Sequence, residues 1–207
     1  VFKKVKNSLK SSNNMALKIA INGFGRIGRC VLRAIYERNL QNDIEVVAIN
    51  ELADCETISY MLRYDSTHGR FAYDVKIEDD CLTVDDGKQK QAIKILHQTD
   101  IQDLPWSELN IDAVLECTGQ FKTRNDLTQH LNSGAKKVVL SQPGESDMDF
   151  TLIAGINQNE LTQQHDLISV GSCSTNGVLP IMKVLHDAFG IEAGVTTTIH
   201  SAMNDQP

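Results

Sequence analysis

Apolar residues along the chain follow two different periods. Lys18-Ile19-Ala20-Ile21 and positions 45–49 are short, nearly continuous apolar runs of the kind that form strands buried on both faces. Between them Ile27, Val31 and Ile35 recur every four residues, which is the spacing of a helical face. The alternation continues through Ala113–Glu116, 127–132 and Lys137–Leu140. It predicts a mostly parallel sheet with helices on its faces. Positions 73–95 differ: short alternating strands punctuated by Asp79-Asp80 and Asp85-Asp86-Gly87 predict an antiparallel insertion between the two halves of that sheet. Further on, Val178, Ile181, Met182, Leu185 and Phe189 are spaced by three and four and predict one buried helical face over 178–189. The β-branched run Val195-Thr196-Thr197-Thr198-Ile199 predicts a strand ending at His200.

The first strand runs into Asn22-Gly23-Phe24-Gly25-Arg26-Ile27-Gly28, and a helix follows. In such a loop Gly23 permits the tight turn, Gly25 lets backbone approach a pyrophosphate, and Gly28 allows close packing of helix on strand. The helix N-terminus then faces the phosphates. The spacing alone is a weak signal, but the second strand ends in Asn50-Glu51, where a ribose-binding acid belongs. Glu51 can accept hydrogen bonds from both adenosine ribose hydroxyls, and its charge repels a 2′-phosphate, so NAD is expected over NADP. The bland alternative is a solvated strand-end carboxylate. Arg26 has two readings as well, a surface salt bridge or a wall of the pyrophosphate site. Together these features predict an α/β protein: a Rossmann-type doubly wound parallel sheet over 15–172, followed by the start of a second, α+β unit over 173–207.

Gly171-Ser172-Cys173-Ser174-Thr175-Asn176 places a thiol among small polar residues just ahead of the helical stretch at 178–189. Unpaired amides and the helix dipole favour thiolate there, the form that attacks carbonyl carbon. A helix terminus typically supplies only about 0.3–1 kcal/mol, less than one pKa unit, so a further partner is required. His200 is the candidate, delivered by the end of the β-branched run. Pro180 fits the first turn of a helix that begins near Val178, whereas it lies inside one that begins at Cys173. Cys30, Cys55, Cys81 and Cys117 read as structural thiols; no Cys-x-x-Cys pair occurs, so no metal site is expected. Five cysteines without close spacing suit a reducing compartment.

Charge and composition exclude some classes. A formal charge of −7 with no basic stripe argues against nucleic acid as a main partner. No apolar run approaches the roughly 20 residues needed to span a bilayer, so no membrane partner is expected and a cytoplasmic protein is. Positions 1–14 carry Lys3, Lys4, Lys6 and Lys10 without the apolar core of a signal peptide, and read as a disordered or extraneous extension ahead of Met15.

GFGRIGR at 23–29, Tyr64-Asp65-Ser66-Thr67-His68-Gly69-Arg70-Phe71, Glu116-Cys117-Thr118-Gly119, the run at 172–176 and Ile199-His200-Ser201 together resemble the glyceraldehyde-3-phosphate dehydrogenase superfamily. Within it, Ile49-Asn50-Glu51-Leu52-Ala53-Asp54, Leu104-Pro105-Trp106, Ser141-Gln142-Pro143-Gly144 and His200-Ser201-Ala202-Met203-Asn204-Asp205-Gln206 are more similar to the erythrose-4-phosphate dehydrogenase branch. The resemblance implies Cys173 as nucleophile and His200 as its base. It implies a dinucleotide site of Gly23, Gly25, Arg26, Ile27, Gly28 and Glu51, extended toward the nicotinamide by Thr118, Gly119 and Ser141. Ser172 and Ser174 would flank the nucleophile and bind a phosphate or substrate oxygen. NAD, a small phosphorylated aldehyde, a homotetramer, and a place in glycolysis or pyridoxine biosynthesis are likewise implied.

Three departures from the family pattern stand out: Val170-Gly171-Ser172 where Asn-Ala-Ser is common, Gly177 where a second cysteine is frequent, and Met203 where a threonine usually contacts the substrate phosphate. A family member would continue well past Pro207, so the catalytic domain is expected to be cut off after its first helix and strand, and residues 1–207 alone to be inactive. An aspartate-semialdehyde-type enzyme and a nonenzymatic NAD-binding module are the rival readings.

Overall fold

The structure, a computed structural model, describes residues 16–201. The extension at 1–14, the start at Met15 and the residues from Ala202 to Gln206 lie outside the described residues.

Strands β1 (Leu17–Asn22), β2 (Ile44–Asn50), β7 (Lys90–Leu96), β8 (Ala113–Glu116), β9 (Lys137–Leu140), β10 (Phe150–Thr151) and β11 (Leu167–Ser169) form the parallel part of one sheet. Its order is β10-β11-β9-β8-β1-β2-β7, continued by β6 (Cys81–Asp85) and β5 (Asp74–Glu78), which pair antiparallel. Chain order runs outward from the boundary between β1 and β8 through β2 and β7 on one side and through β9 and β11 on the other. It reverses only beyond them, where β6 and β5 follow β7 and where β10 lies outside β11. That boundary is the topological switch point where open α/β sheets bind ligands. The helices are α1 (Arg26–Glu37), α2 (Cys55–Arg63), α3 (Arg124–Asn132) and α4 (Cys173–Phe189). A small ladder of β3 (Tyr64–Asp65) with β4 (Gly69–Arg70) stands apart from the main sheet.

The continuous apolar runs are explained by burial on both faces. Ile19 and Ile21 of β1 pack in the core that contains Leu32, Ile35 and Tyr36 of α1, whereas Ala20 faces a second core with Trp106, Ile111 and Val114. Successive side chains point to opposite faces, so one strand feeds both.

Four expectations need correction. The strands over 73–95 are antiparallel as expected, β5 with β6 and β6 with β7, but they do not stand between the two halves of the sheet: β7 also pairs parallel with β2, and β6 and β5 extend the main sheet at its edge. Ile27 is 47% exposed. Eight helical residues at 3.6 per turn leave it about 80° from Ile35, and the buried stripe of α1 runs instead through Gly28, Leu32, Ile35 and Tyr36, with Arg29 and Arg33 tucked beside it. The face of α4 is uncovered, with Ile181 at 63% and Phe189 at 83% exposure, because no described element packs on it. Finally, 191–201 forms no strand, since no neighbouring strand pairs with its backbone.

Candidate functional site

The carboxyl ends of the parallel strands are linked by backbone hydrogen bonds that step along one edge of the sheet. Glu51 N–H donates to Leu96 C=O, Gly23 to Asn50, Cys117 to Asn22, Ser141 to Glu116, and Val170 to Leu140. Each loop is thus tied to the end of its neighbouring strand. The sequence-predicted residues consequently appear in spatial order, Glu51, then the glycine loop, then Thr118, Ser141 and the run at 171–174. From β2 to β11 this is four strand intervals, about 19 Å, enough for an extended dinucleotide.

The glycine loop has the geometry that its spacing predicts. Gly23 adopts φ +87°, and a Cβ there would lie 2.7 Å from the Thr118 amide nitrogen. A Cβ on Gly28 would lie 2.4 Å from the Gly23 carbonyl oxygen, so helix and loop can touch only without it. Gly25 faces open space and is the N-cap of α1, with no side-chain cap and no acidic residue in the first turn. The other α-helices are capped by Asp54, Thr123 and Ser172. The unsatisfied amides at the start of α1 therefore present an anion site, and the group they fit is a pyrophosphate.

Glu51 is not a loosely solvated carboxylate. Its Oε2 accepts from Phe24 N–H at 2.8 Å, and its Oε1 accepts from Leu52 N–H at 2.7 Å and Ala53 N–H at 3.2 Å. These bonds aim it along a cleft of about 210 Å³ whose lining includes Asn22, Gly25, Asn50, Leu52, Gln98 and Thr118. The Arg26 guanidinium forms an ion pair with Asp65, so the side chain takes the surface salt-bridge reading while its backbone stands at the helix start.

Beneath the cleft lies a polar network that sequence reasoning missed. Glu116 is fully buried and accepts from the Asn22 side chain at 2.6 Å, from the Thr118 amide at 2.8 Å and from the Thr118 hydroxyl. His130 Nε2 lies 3.1 Å from the same carboxylate. Asn50 bonds Asn22 at 2.8 Å and both donates to and accepts from the Gln98 backbone. Buried Arg29 donates to Phe24 C=O and holds the glycine loop from below. Ser141 lies beside Cys117, whose thiol burial pushes up to about 12, consistent with an inert structural cysteine.

Helix α4 begins at Cys173 itself, which puts Pro180 inside it, where it supplies no N–H to the Asn176 carbonyl. Ser172 is the N-cap: its hydroxyl accepts from Thr175 N–H at 3.0 Å. Gly171 adopts φ +68°, and a Cβ there would lie 2.9 Å from Ile153 Cδ1, which accounts for glycine at this departure from the family pattern. Asn176 clamps the carbonyls of Val170 and Ser172 at 2.7 and 2.9 Å.

Although 191–201 forms no strand, it brings His200 to the thiol. His200 Nε2 lies 3.2 Å from Cys173 Sγ, and His200 Nδ1 lies 2.7 Å from Ser201 C=O. A carbonyl only accepts, so Nδ1 carries the ring proton and Nε2 turns its lone pair to sulfur. The His200 contact, helped by the adjacent Ser174 hydroxyl, holds the Cys173 thiol below its ordinary range. Among the five cysteines Cys173 alone is exposed.

A dinucleotide cleft at the switch point, with an exposed thiol of lowered pKa on the same sheet edge, defines the class: an NAD-dependent oxidoreductase. Residues 17–124 match the family model described as glyceraldehyde 3-phosphate dehydrogenase, NAD binding domain, and residues 172–207 match that of the glyceraldehyde 3-phosphate dehydrogenase C-terminal domain. The chain belongs to the glyceraldehyde 3-phosphate dehydrogenase family, and its cofactor is NAD.

Proposed function

We propose that Cys173 and His200 oxidise a phosphorylated aldehyde with NAD, and that the aldehyde is D-erythrose 4-phosphate, giving 4-phosphoerythronate. The observation that carries this reading is the contact of Cys173 Sγ with the lone-pair nitrogen of His200. His200 takes the thiol proton, and the thiolate adds to the aldehyde carbon. The new alkoxide takes that proton back to give a thiohemiacetal on Cys173. His200 then accepts the hydroxyl proton as the carbonyl re-forms. Bound NAD supplies the acceptor for the hydride that leaves in that step. Water attacks the resulting thioester, releasing the acid and restoring the thiol.

Amides at the start of α4 stand near the oxygen that gains charge, a donor type whose removal in other enzymes costs about 2.7–4 kcal/mol. Gly25, Ile27 and the backbone of Arg26 take the pyrophosphate over a turn that Gly23 and Gly28 make possible, Glu51 takes the adenosine ribose, and Thr118, Gly119 and Ser141 line the way to the nicotinamide. Ser172 and Ser174 hold a substrate oxygen. A cofactor domain over 15–172 and the start of a catalytic domain over 173–207 go with this reading, and family kinship is the support for a cytoplasmic homotetramer.

Substrate choice rests on Met203, outside the described residues: a methionine offers no hydroxyl to a substrate phosphate, and a polar group left unpaired costs about 1–3 kcal/mol. The test is NADH formation by the full-length protein with erythrose 4-phosphate and with glyceraldehyde 3-phosphate, each with and without inorganic phosphate. Phosphate-independent turnover that favours the four-carbon aldehyde is expected. Strict phosphate dependence with higher kcat/KM for glyceraldehyde 3-phosphate moves the substrate to the three-carbon aldehyde and the product to 1,3-bisphosphoglycerate.

A further inference from the structure

Ser169, the last residue of β11, is buried, and its hydroxyl joins two loops that are distant in sequence. It donates to Gln142 C=O at 2.9 Å and accepts from Gly144 N–H and Gly171 N–H, each at 3.1 Å. A serine hydroxyl offers one donor and two acceptor positions, and all three are used. One loop leaves β9 through Ser141, which the proposed function places toward the nicotinamide. The other is the left-handed turn at Gly171 that starts α4 two residues before the thiol.

We propose that Ser169 is a positioning residue that couples the nicotinamide end of the cofactor site to the Cys173 nucleophile. This rests on the reading that Cys173 is the nucleophile and that the loop after Ser141 faces the nicotinamide. The hydroxyl sets the separation of the two loops, so a cofactor that orders the 142–144 segment also orders Gly171 and the start of α4. The glycine loop and Glu51 lie two and three strands away from β9 and are untouched by Ser169.

The experiment compares the wild-type chain with Ser169→Ala, Ser169→Thr and, as a control for loss of a structural hydroxyl elsewhere, Ser133→Ala. Two quantities are read: the affinities for NAD and for ADP-ribose, which lacks the nicotinamide, and the pH profile of Cys173 alkylation by iodoacetamide, mapped by peptide mass. Ser169→Ala should weaken NAD about tenfold or more while leaving ADP-ribose within about twofold, and should move the alkylation profile to higher pH. Ser169→Thr should restore both, and Ser133→Ala should change neither. Equal weakening of both ligands with an unchanged thiol profile would make Ser169 structural only and overturn the proposal.

If Ser169→Ala does not fold, amide exchange in the wild-type chain decides. Gly144 and Gly171 should gain protection together when NAD binds, and protection at one without the other overturns the coupling. The underlying reading fails separately, through a wild-type Cys173 that alkylates no faster near neutral pH than an ordinary thiol.

Discussion

Trp106 donates its indole N–H to His130 Nδ1 at 3.0 Å, with both side chains fully buried. An indole nitrogen only donates, so His130 Nδ1 is an acceptor and the ring proton sits on Nε2, where it meets the Glu116 carboxylate. The tryptophan thereby selects the tautomer that lets a buried carboxylate keep its fourth donor. Trp106→Phe should cost about 1–3 kcal/mol in urea denaturation, because it leaves a buried ring nitrogen unpaired. NAD affinity should change little, since Trp106 does not line the cleft.

Cys173 should alkylate at a pH below that of an ordinary thiol, with the rate falling only as pH drops through its lowered pKa. His200→Asn removes the largest cause of that lowering, so the profile should move up in pH. Turnover by the full-length protein should fall by about 10²–10⁴. Cys117, held up at about 12, should stay unlabelled near neutral pH in both proteins and serves as the internal control. An unmoved profile in the variant would remove His200 from the pairing.

Glu51→Gln should weaken NAD binding about tenfold or more and narrow the preference over NADP, because a charged acceptor for the ribose hydroxyls is lost. Titration with both cofactors measures the two effects. Unchanged affinity for NAD would mean that the carboxylate only braces Phe24, Leu52 and Ala53.

Gly28→Ala places a methyl group against the Gly23 carbonyl oxygen at 2.4 Å, and both are backbone-bound, so the loop must move. A stability loss of about 1–3 kcal/mol is expected from the overpacking, together with loss of NAD binding. Gly25→Ala meets no atom within 4 Å and should fold normally, with impaired cofactor binding alone. Thermal melting with and without NAD separates the two variants.

Much of this was legible in the sequence, because the signals are local. The apolar runs at β1, β2, β8 and β9 mark buried strands, and the glycine spacing marks a turn that admits no side chain at Gly23, by its φ and contacts, or at Gly28, by its contacts. The thiol and imidazole, 27 residues apart, were legible because few other side chains do that chemistry. The network around Glu116 was not: Asn22 and Glu116 are 94 positions apart and look like ordinary polar strand ends until the sheet order makes them neighbours. Periodicity over 178–189 specified a face but not what covers it, and β propensity over 195–199 specified a conformation that forms a strand only beside a partner.

The stepwise backbone links along the carboxyl edge make the cleft a ruler graduated in strands rather than in residues. Its marks are the sheet spacing of about 4.8 Å, which no side chain sets. Insertions in the stretches between strands, such as the long run from β10 to β11, can change the surface without altering the distance from Glu51 to Cys173. Loss or slippage of one strand would change it for every mark beyond. Loop length is therefore open to variation in this protein, whereas the pairing of β2, β1, β8, β9 and β11 is what fixes the separation of Glu51 and Cys173.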